Sequence, residues 1–477
     1  MKVYGALLAL LQCTATILAS VAPSISGPDK IYGVNLGSWL VLEAWMLPAE
    51  WAAMGGETCD DCSQCIASEF AYAQAYPKTV DFAFAKHWPL KDAGINTVRI
   101  PLGYWIIEAL VDRKTEYFPR GGLRYLQRGL NWLKTAGIQA ILDHHALPGV
   151  QTAGQQFTGR CTQDVEFYTD YNYHRALVWT AVMTTISHLD PSFDSVFAIE
   201  AVNEPIMDAT KTPGYGDFQK NFVNCIRAVE LLLGITVPGE TLNFKLPSTN
   251  ITDAFNVAAS SSGSNIFNDE IRSVLKDAVP ILTGIVLELG ILNAQFPSAL
   301  VHSQRTPLVA NFMDINWQHN NPANPADAAI GPQGYDNHLY YSFGGVADPT
   351  EEAYLTSICN LQRVQADAAL GNTPLWFGEW GLPTQFQASD EFLFKWADAQ
   401  KLAYSQGKGW IFWNFKTEIS EQAGDLSRQW SYLDGLKRGY LTQDPSQYND
   451  ARVCDSYRNS STSKRTNQDL TGASRLG

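Results

Sequence analysis

Short apolar runs that end in a polar or ionisable residue alternate along this chain with longer stretches whose apolar positions repeat at helical spacing. The short runs predict eight strands, over residues 31–36, 95–101, 138–143, 196–202, 307–312, 335–340, 375–379 and 409–413. The longer stretches predict helices over 123–136, 173–189, 218–233, 270–292 and 391–405, the first closed by Gly137, a common helix stop. From Val196 to Val202 the run is almost continuously apolar, as in a parallel strand buried on both faces. It ends in Asn203 and Glu204, and Pro205 cannot extend the pairing. Taken alone, Asn-Glu-Pro is equally well a polar turn. Residues 375–379 repeat the arrangement far downstream, with Glu379 at the tip of a short apolar strand. Strands alternating with helices, with polar residues at nearly every strand end, predict an α/β fold: a (β/α)8 TIM barrel forming a single catalytic domain. The looser region 206–306 reads as an insertion, broken by a Ser/Gly run at 259–264. Residues 48–68 read as loop, and 458–477, rich in Ser, Thr, Arg and Asn, as a disordered tail.

Length and composition narrow the class. A chain of 477 residues, 45% hydrophobic and 17% charged, can bury a large core. Its 14 Trp, 20 Tyr and 22 Phe suit a surface that stacks on sugar rings, although cores use aromatic side chains too. A net charge of −14 argues against nucleic acid and anionic membranes as partners, and favours a neutral or cationic substrate in mildly acidic surroundings. Lys2, the apolar run 6–18 and the small residues Ala19, Ser20 and Ala22 read as a signal peptide over 1–22. No later run is long enough to cross a bilayer, and the most apolar, 279–292, reads as a buried helix. The expectation is a secreted monomer, extracellular or in a cell wall, with residues 23–457 as the catalytic domain.

Cys13 would leave with the leader, so Cys59, Cys62, Cys65, Cys161, Cys225, Cys359 and Cys454 remain. The cluster Cys59, Cys62, Cys65 reads as zinc ligands or as part of a disulfide framework, and an oxidising compartment favours disulfides. An odd number leaves one thiol over. Asn250 and Asn459 head glycosylation sequons.

Glutamates at the ends of the fourth and seventh strands would face each other across the barrel mouth. Cleaving an acetal between sugars needs a proton for the leaving oxygen and a nucleophile or base opposite, which two carboxyl groups of different pKa supply. The segments 33–39, 98–105, 203–205, 338–340, 378–380 and 412–418 together resemble glycoside hydrolase family 5, and within it the secreted fungal β-1,3- and β-1,6-glucanases. The resemblance implies Glu204 as acid/base and Glu379 as nucleophile. It places Arg99 beside the nucleophile, where a fixed positive charge keeps that carboxylate ionised. It further implies Tyr340 as a donor to the same carboxylate and Asn203 as the group holding the sugar 2-hydroxyl. His145 and His338 would line the sugar subsite, with Trp413 as its aromatic floor. No phosphate-cradling loop, metal helix or nucleophile elbow appears, and no metal or cofactor is expected.

Plainer readings stand beside these. Arg99 could be a structural barrel arginine. His144 points to the opposite strand face from His145 and reads as packing. Trp39, Trp45, Trp105 and Trp380 read as core or rim, and Glu43 and Glu418 as sugar contacts or structural pairs. Two departures from the family pattern stand out. After His87-Trp88, Pro89 and a short segment lead straight into the second strand, where relatives carry a full helix. Residues 79–88 then serve as the crossover helix, or part of the wall is uncovered, or the gene reading is truncated. The loop 145–161 is closer to that of β-1,6-glucanases and their diglycosidase cousins than to that of exo-acting β-1,3-glucanases, which shifts the expected linkage towards β-1,6. The insertion could wall one end of the cleft or pack elsewhere. The competing functions are a β-diglycosidase acting on plant glycosides and a glucan-binding protein on a disabled barrel.

Overall fold

Eight strands pair in chain order and in parallel, and the eighth closes on the first. They are β1 (Ile31–Asn35), β2 (Thr97–Gly103), β3 (Gln139–Ala146), β4 (Val196–Glu200), β5 (Val309–Met313), β6 (Gln333–His338), β7 (Leu375–Glu379) and β8 (Gly409–Phe412). This computed structural model describes residues 27–77, 93–244, 250–261, 265–291, 305–317 and 320–458. The signal peptide, the shortened segment around Pro89, Asn459 and nearly all of the 458–477 tail lie outside the described residues.

Polarity changes along the barrel axis, and this positions the site. Near the N-terminal ends of the strands Ile31, Ile141, Phe197, Val309, Trp376 and Ile411 form their own buried apolar cluster, the packed bottom of the barrel. Gly334 faces the Trp376 indole so closely that a Cβ there would lie 2.2 Å from the ring, so no side chain fits. Toward the C-terminal ends the interior turns polar, with Asn35, Arg99, Asp143, Glu200, Asn311 and Asp336 all fully buried.

The helices cover the outside. The segment 48–68, expected as loop, contains helix α1 (Pro48–Met54), followed by α2 (Glu69–Ala75). Pro48 sits at the start of α1, where its missing N–H costs nothing, and the Glu418 carboxylate accepts from Ala49 and Glu50 N–H. Glu418 is therefore a helix cap and is not among the residues that line the cleft described below. Helix α3 (Gly122–Ala136) buries Leu123, Leu126, Leu130 and Leu133 at helical spacing. Helix α4 (Asp170–Leu189) is buried along most of its length, because part of the insertion packs over it. That insertion supplies a crossover helix, α5 (Tyr215–Leu232), and an outer pair, α6 (Ile251–Ser260) and α7 (Asp269–Leu289). Among its described residues only Met207 lines the cleft, so the helices pack elsewhere. The apolar run expected as a buried helix is the second half of α7, an amphipathic surface helix: Leu282 and Ile285 are buried but Leu287 is 80% exposed. No described helix is long and apolar enough to cross a membrane. Helices α8 (Glu351–Cys359), α9 (Arg363–Ala369), α10 (Asp390–Tyr404), α11 (Leu426–Trp430) and α12 (Tyr432–Arg438) complete the wall.

The cysteine cluster is a disulfide framework. Cys59 bonds Cys65, Cys62 bonds Cys161, Cys359 bonds Cys454, and buried Cys225 is the thiol left over. The bond between Cys62 and Cys161 ties the α1–α2 connection to the loop after β3.

His174 on α4 lies 2.9 Å from Glu270 and 3.0 Å from Asp277 on α7. Its hydrogen bond to Glu270, more than any other contact, raises its pKa despite burial. A folded-state pKa above the unfolded one stabilises fully below the unfolded value, and that stabilisation is lost as pH rises through the folded value. The opening free energy of α7, taken from amide exchange after correction for the base-catalysed intrinsic rate, should therefore fall as pH climbs above about 6.5, the ordinary histidine value. His174→Gln should abolish that dependence; a profile unchanged in the variant would exclude His174 as the clamp.

Candidate active site

Arg99 organises the polar upper half of the barrel. It rises from β2 with its guanidinium fully buried, and reaches five other strands or their ends. Its Nε donates to Glu200 Oε2 at 2.8 Å; Nη1 donates to Asn35 Oδ1 at 3.1 Å and Glu379 Oε1 at 2.9 Å; Nη2 donates to Asn203 Oδ1 at 2.8 Å. Asp143 Oδ2 lies 3.1 Å from Nη1 and Asp336 Oδ2 3.6 Å from Nε. One cation thus faces several acids in a fully buried interior. Burial pushes Asp143 up to about 7 and drives Glu200 and Asp336 upward as well, against the pull of Arg99. Gly378 permits this packing: its N–H donates to Asp336 Oδ1 at 2.6 Å, and a Cβ there would fall 2.0 Å from Asp336 Oδ2.

Above this floor opens a cleft of about 370 Å3 that contains both expected catalytic glutamates. Glu379 ends β7, and its second oxygen accepts from the Tyr340 hydroxyl at 2.9 Å. Glu204 lies four residues beyond the end of β4, in a loop that sequence periodicity had merged with the strand. Its φ of 41° is a left-handed conformation that a non-glycine residue adopts only under constraint. The constraint is visible: Thr152 Oγ1 donates to the Glu204 carbonyl at 2.6 Å, and Gln151 Nε2 to the Asn203 carbonyl at 3.1 Å. One oxygen of Glu204 and one of Glu379 lie within 4.8 Å of each other. His338 Nδ1 sits between them, 2.7 Å from Glu204 and 3.6 Å from Glu379.

Burial pushes both carboxyl groups up to about 7. The ion pair with Arg99 and the Tyr340 hydrogen bond both favour the charged form of Glu379, whereas the Glu204 carboxyl lies against His338 Nδ1 at 2.7 Å, a neutral ring nitrogen that can accept from the protonated acid. Near neutral pH, where the pair holds one proton, the negative charge therefore settles on Glu379 and the proton on Glu204. Burial also pushes His338 down to about 4 and His145 down to about 3, so both rings are neutral there. His145 Nδ1 is 2.6 Å from Asp143 Oδ2, and its Nε2, buried and without a partner, is left for a ligand. Asn203 Nδ2 is likewise buried and unpartnered at the cleft wall. Trp413 lines the cleft and stacks on His145, with centroids 5.5 Å apart.

All eight site residues expected from the sequence converge here: Glu204, Glu379, Asn203, His145, His338, Tyr340 and Trp413 on the cleft, and Arg99 directly beneath it. His144 stacks on Trp179, on the other strand face, as its position implied. Trp39, Trp105 and Trp380 are core, whereas Trp45 lines the cleft, pairs with Trp430 and donates its indole N–H to Glu43 at 2.8 Å. Glu43 faces the cleft, is pushed up to about 8 by burial, and keeps its other oxygen free of any partner. Trp430, Phe343, Trp317 and Phe157 also line the walls and were not singled out by the sequence, because they sit in a loop, in 3-10 turns or at the end of the five-residue helix α11, segments too short to show periodicity. Among the described residues two groups have ligand atoms close enough to hold a cation, Glu200 with Asp336 and His338, and Glu204 with His338 and Glu379. The guanidinium of Arg99 already supplies positive charge to both.

A closed parallel barrel with paired carboxyl groups over its C-terminal rim, beside aromatic walls, is the architecture of a glycosidase. Residues 78–418 match the family Cellulase (glycosyl hydrolase family 5), and the chain belongs to that family. It is 30% identical to a probable glucan endo-1,6-beta-glucosidase B of Aspergillus fumigatus over 86% of this chain and 87% of the relative. It is 28% identical to the glucan endo-1,6-beta-glucosidase B of Emericella nidulans over 89% and 88%. Among solved structures, the rutinosidase from Aspergillus niger shares the fold, with a TM-score of 0.52 at 18% identity over 86% of this chain and 97% of that one.

Proposed function

We propose that the protein is a secreted, monomeric glucanase that hydrolyses β-1,6-linked glucan with retention of configuration. In this reading residues 1–22 are a leader and 23–457 one catalytic domain. The observation that carries the mechanism is the separation of the carboxyl groups. Oxygens within 4.8 Å suit direct attack by one carboxylate, whereas inversion needs carboxyl groups about 6.5–9.5 Å apart to admit a water. Glu379 attacks the anomeric carbon while Glu204 protonates the departing glycosidic oxygen. The glycosyl ester on Glu379 is then opened by water, whose proton returns to Glu204. Arg99 and Tyr340 hold Glu379 ionised and aimed. Asn203 Nδ2 and His145 Nε2 take sugar hydroxyls, and Trp413 provides the ring platform.

The names of the relatives support the β-1,6 linkage, and the disulfides support secretion. A reducing-sugar assay on a β-1,6-glucan, a β-1,3-glucan and a flavonoid diglycoside tests the assignment. Release mainly from the first is expected, release mainly from either of the others would reassign the substrate, and release from none would remove the function.

The protonation order gives a pH prediction. With Glu204 titrating at about 7, kcat/KM on glucan should fall on the alkaline side of that value as the proton donor is lost. On a dinitrophenyl β-glycoside, whose leaving group needs no proton, Glu204→Ala should retain the first step and lose the alkaline limb. An alkaline limb that persists in the variant would point to a different proton donor.

A further inference from the structure

A second cavity, of about 340 Å3, opens on the same barrel face behind the loop that follows β3. That loop is shared: Gln155 and Phe157 line the catalytic cleft, while Thr158 and Arg160 line the second cavity. The two most exposed aromatic rings among the described residues stand at these two openings, Phe343 at the cleft (51% exposed) and Tyr171 at the second cavity (66%). Tyr171 is a supported platform. The buried guanidinium of Arg175 lies 5.3 Å from its ring centroid and is itself fixed by Glu116 at 2.7 Å. Around it, the guanidinium of Arg160, the Glu166 carboxylate and the Thr115 hydroxyl make no hydrogen bond or ion pair to another described residue. Donors and acceptors are therefore available beside an open aromatic face. Asp112, Glu116 and Glu166 outnumber Arg160 and Arg175, so the lining disfavours a phosphate or another anion and suits a neutral polyol.

We propose that this cavity is a second, non-catalytic glucan-binding site. Tyr171 stacks on a pyranose face, and the surrounding charged groups pair with ring hydroxyls. A polymer engaged in the cleft is then also held one loop away, which raises effective concentration without touching the chemistry. The inference rests on the glucan reading of the catalytic cleft.

The test uses the full chain carrying Glu379→Gln, so that polymer binds without turnover, with Tyr171→Ala or Arg160→Ala added, and titrates a long β-1,6-glucan. Either addition should weaken polymer affinity about three- to tenfold, the range expected for loss of one stacking contact. In the active enzyme, Tyr171→Ala should raise KM on the polymer by the same factor. It should leave kcat/KM unchanged on a β-1,6-oligosaccharide too short to span both sites, which also reports correct folding. Polymer affinity unchanged in both variants, with cleavage of glucan intact, would overturn the second site alone. A wild-type enzyme that cleaves no glucan would overturn the cleft assignment and this one with it.

Discussion

Replacing Glu379 by glutamine is expected to lower kcat on glucan by about 10^4-fold or more while leaving glucan affinity within a few-fold of wild type. The amide keeps the shape of the side chain and can still accept from Tyr340, so the cleft walls stay in place. What it loses is the negative charge that Arg99 Nη1 faces at 2.9 Å and that, in the proposed mechanism, attacks the anomeric carbon. Glutamine forms no glycosyl ester, so both halves of the double displacement stop together. Steady-state kcat and a binding titration separate the two effects. A slow fluorinated glycoside should label the wild-type enzyme within Leu375–Glu379 and fail to label the variant. Label recovered on another segment would move the nucleophile elsewhere.

Arg99→Met should be the most damaging substitution for stability, at about 3–5 kcal/mol, a large part of the ~5–15 kcal/mol that holds a typical domain folded. Methionine fills similar volume, so the loss is electrostatic. Asp143, Glu200, Asp336 and Glu379 would stay buried with no cation among them. The sign of the pH dependence follows. These acids already have folded-state pKa values above their unfolded ones, and losing Arg99 raises them further. A raised acid binds more protons folded than unfolded, so its penalty vanishes below the unfolded value and grows as pH rises. The deficit of the variant, measured by denaturant unfolding, should therefore shrink from pH 8 to pH 5. A deficit independent of pH would mean that lost packing, and not unpaired charge, is the cause.

The barrel was legible because most of its strands lie in short apolar runs closed by a polar or ionisable residue, a pattern that parallel strands buried on both faces impose. The strand ends were less so. Val202 continues the apolar run although β4 stops at Glu200, because Ala201 and Val202 bury their side chains in the loop as fully as in the strand. The catalytic set was readable because chemistry restricts residue type at each position. The aromatic walls were not: Phe343 comes from an irregular loop and Trp430 from the end of the one-turn helix α11, where a tryptophan or phenylalanine looks the same whether it faces core or cleft. Helix α1 was hidden for a related reason, since its N-terminal cap is Glu418, hundreds of positions away in the chain.

The crosslink between Cys62 and Cys161 bears on how the protein must be produced. The strands need no sulfur chemistry to close, but the segment carrying Gln155 and Phe157 is pinned through Cys161. In a reducing bacterial cytoplasm that crosslink would not form, and one flank of the groove would lack its covalent tie. Recombinant material made that way is expected to turn over more slowly than material exported to an oxidising compartment, where the tie closes.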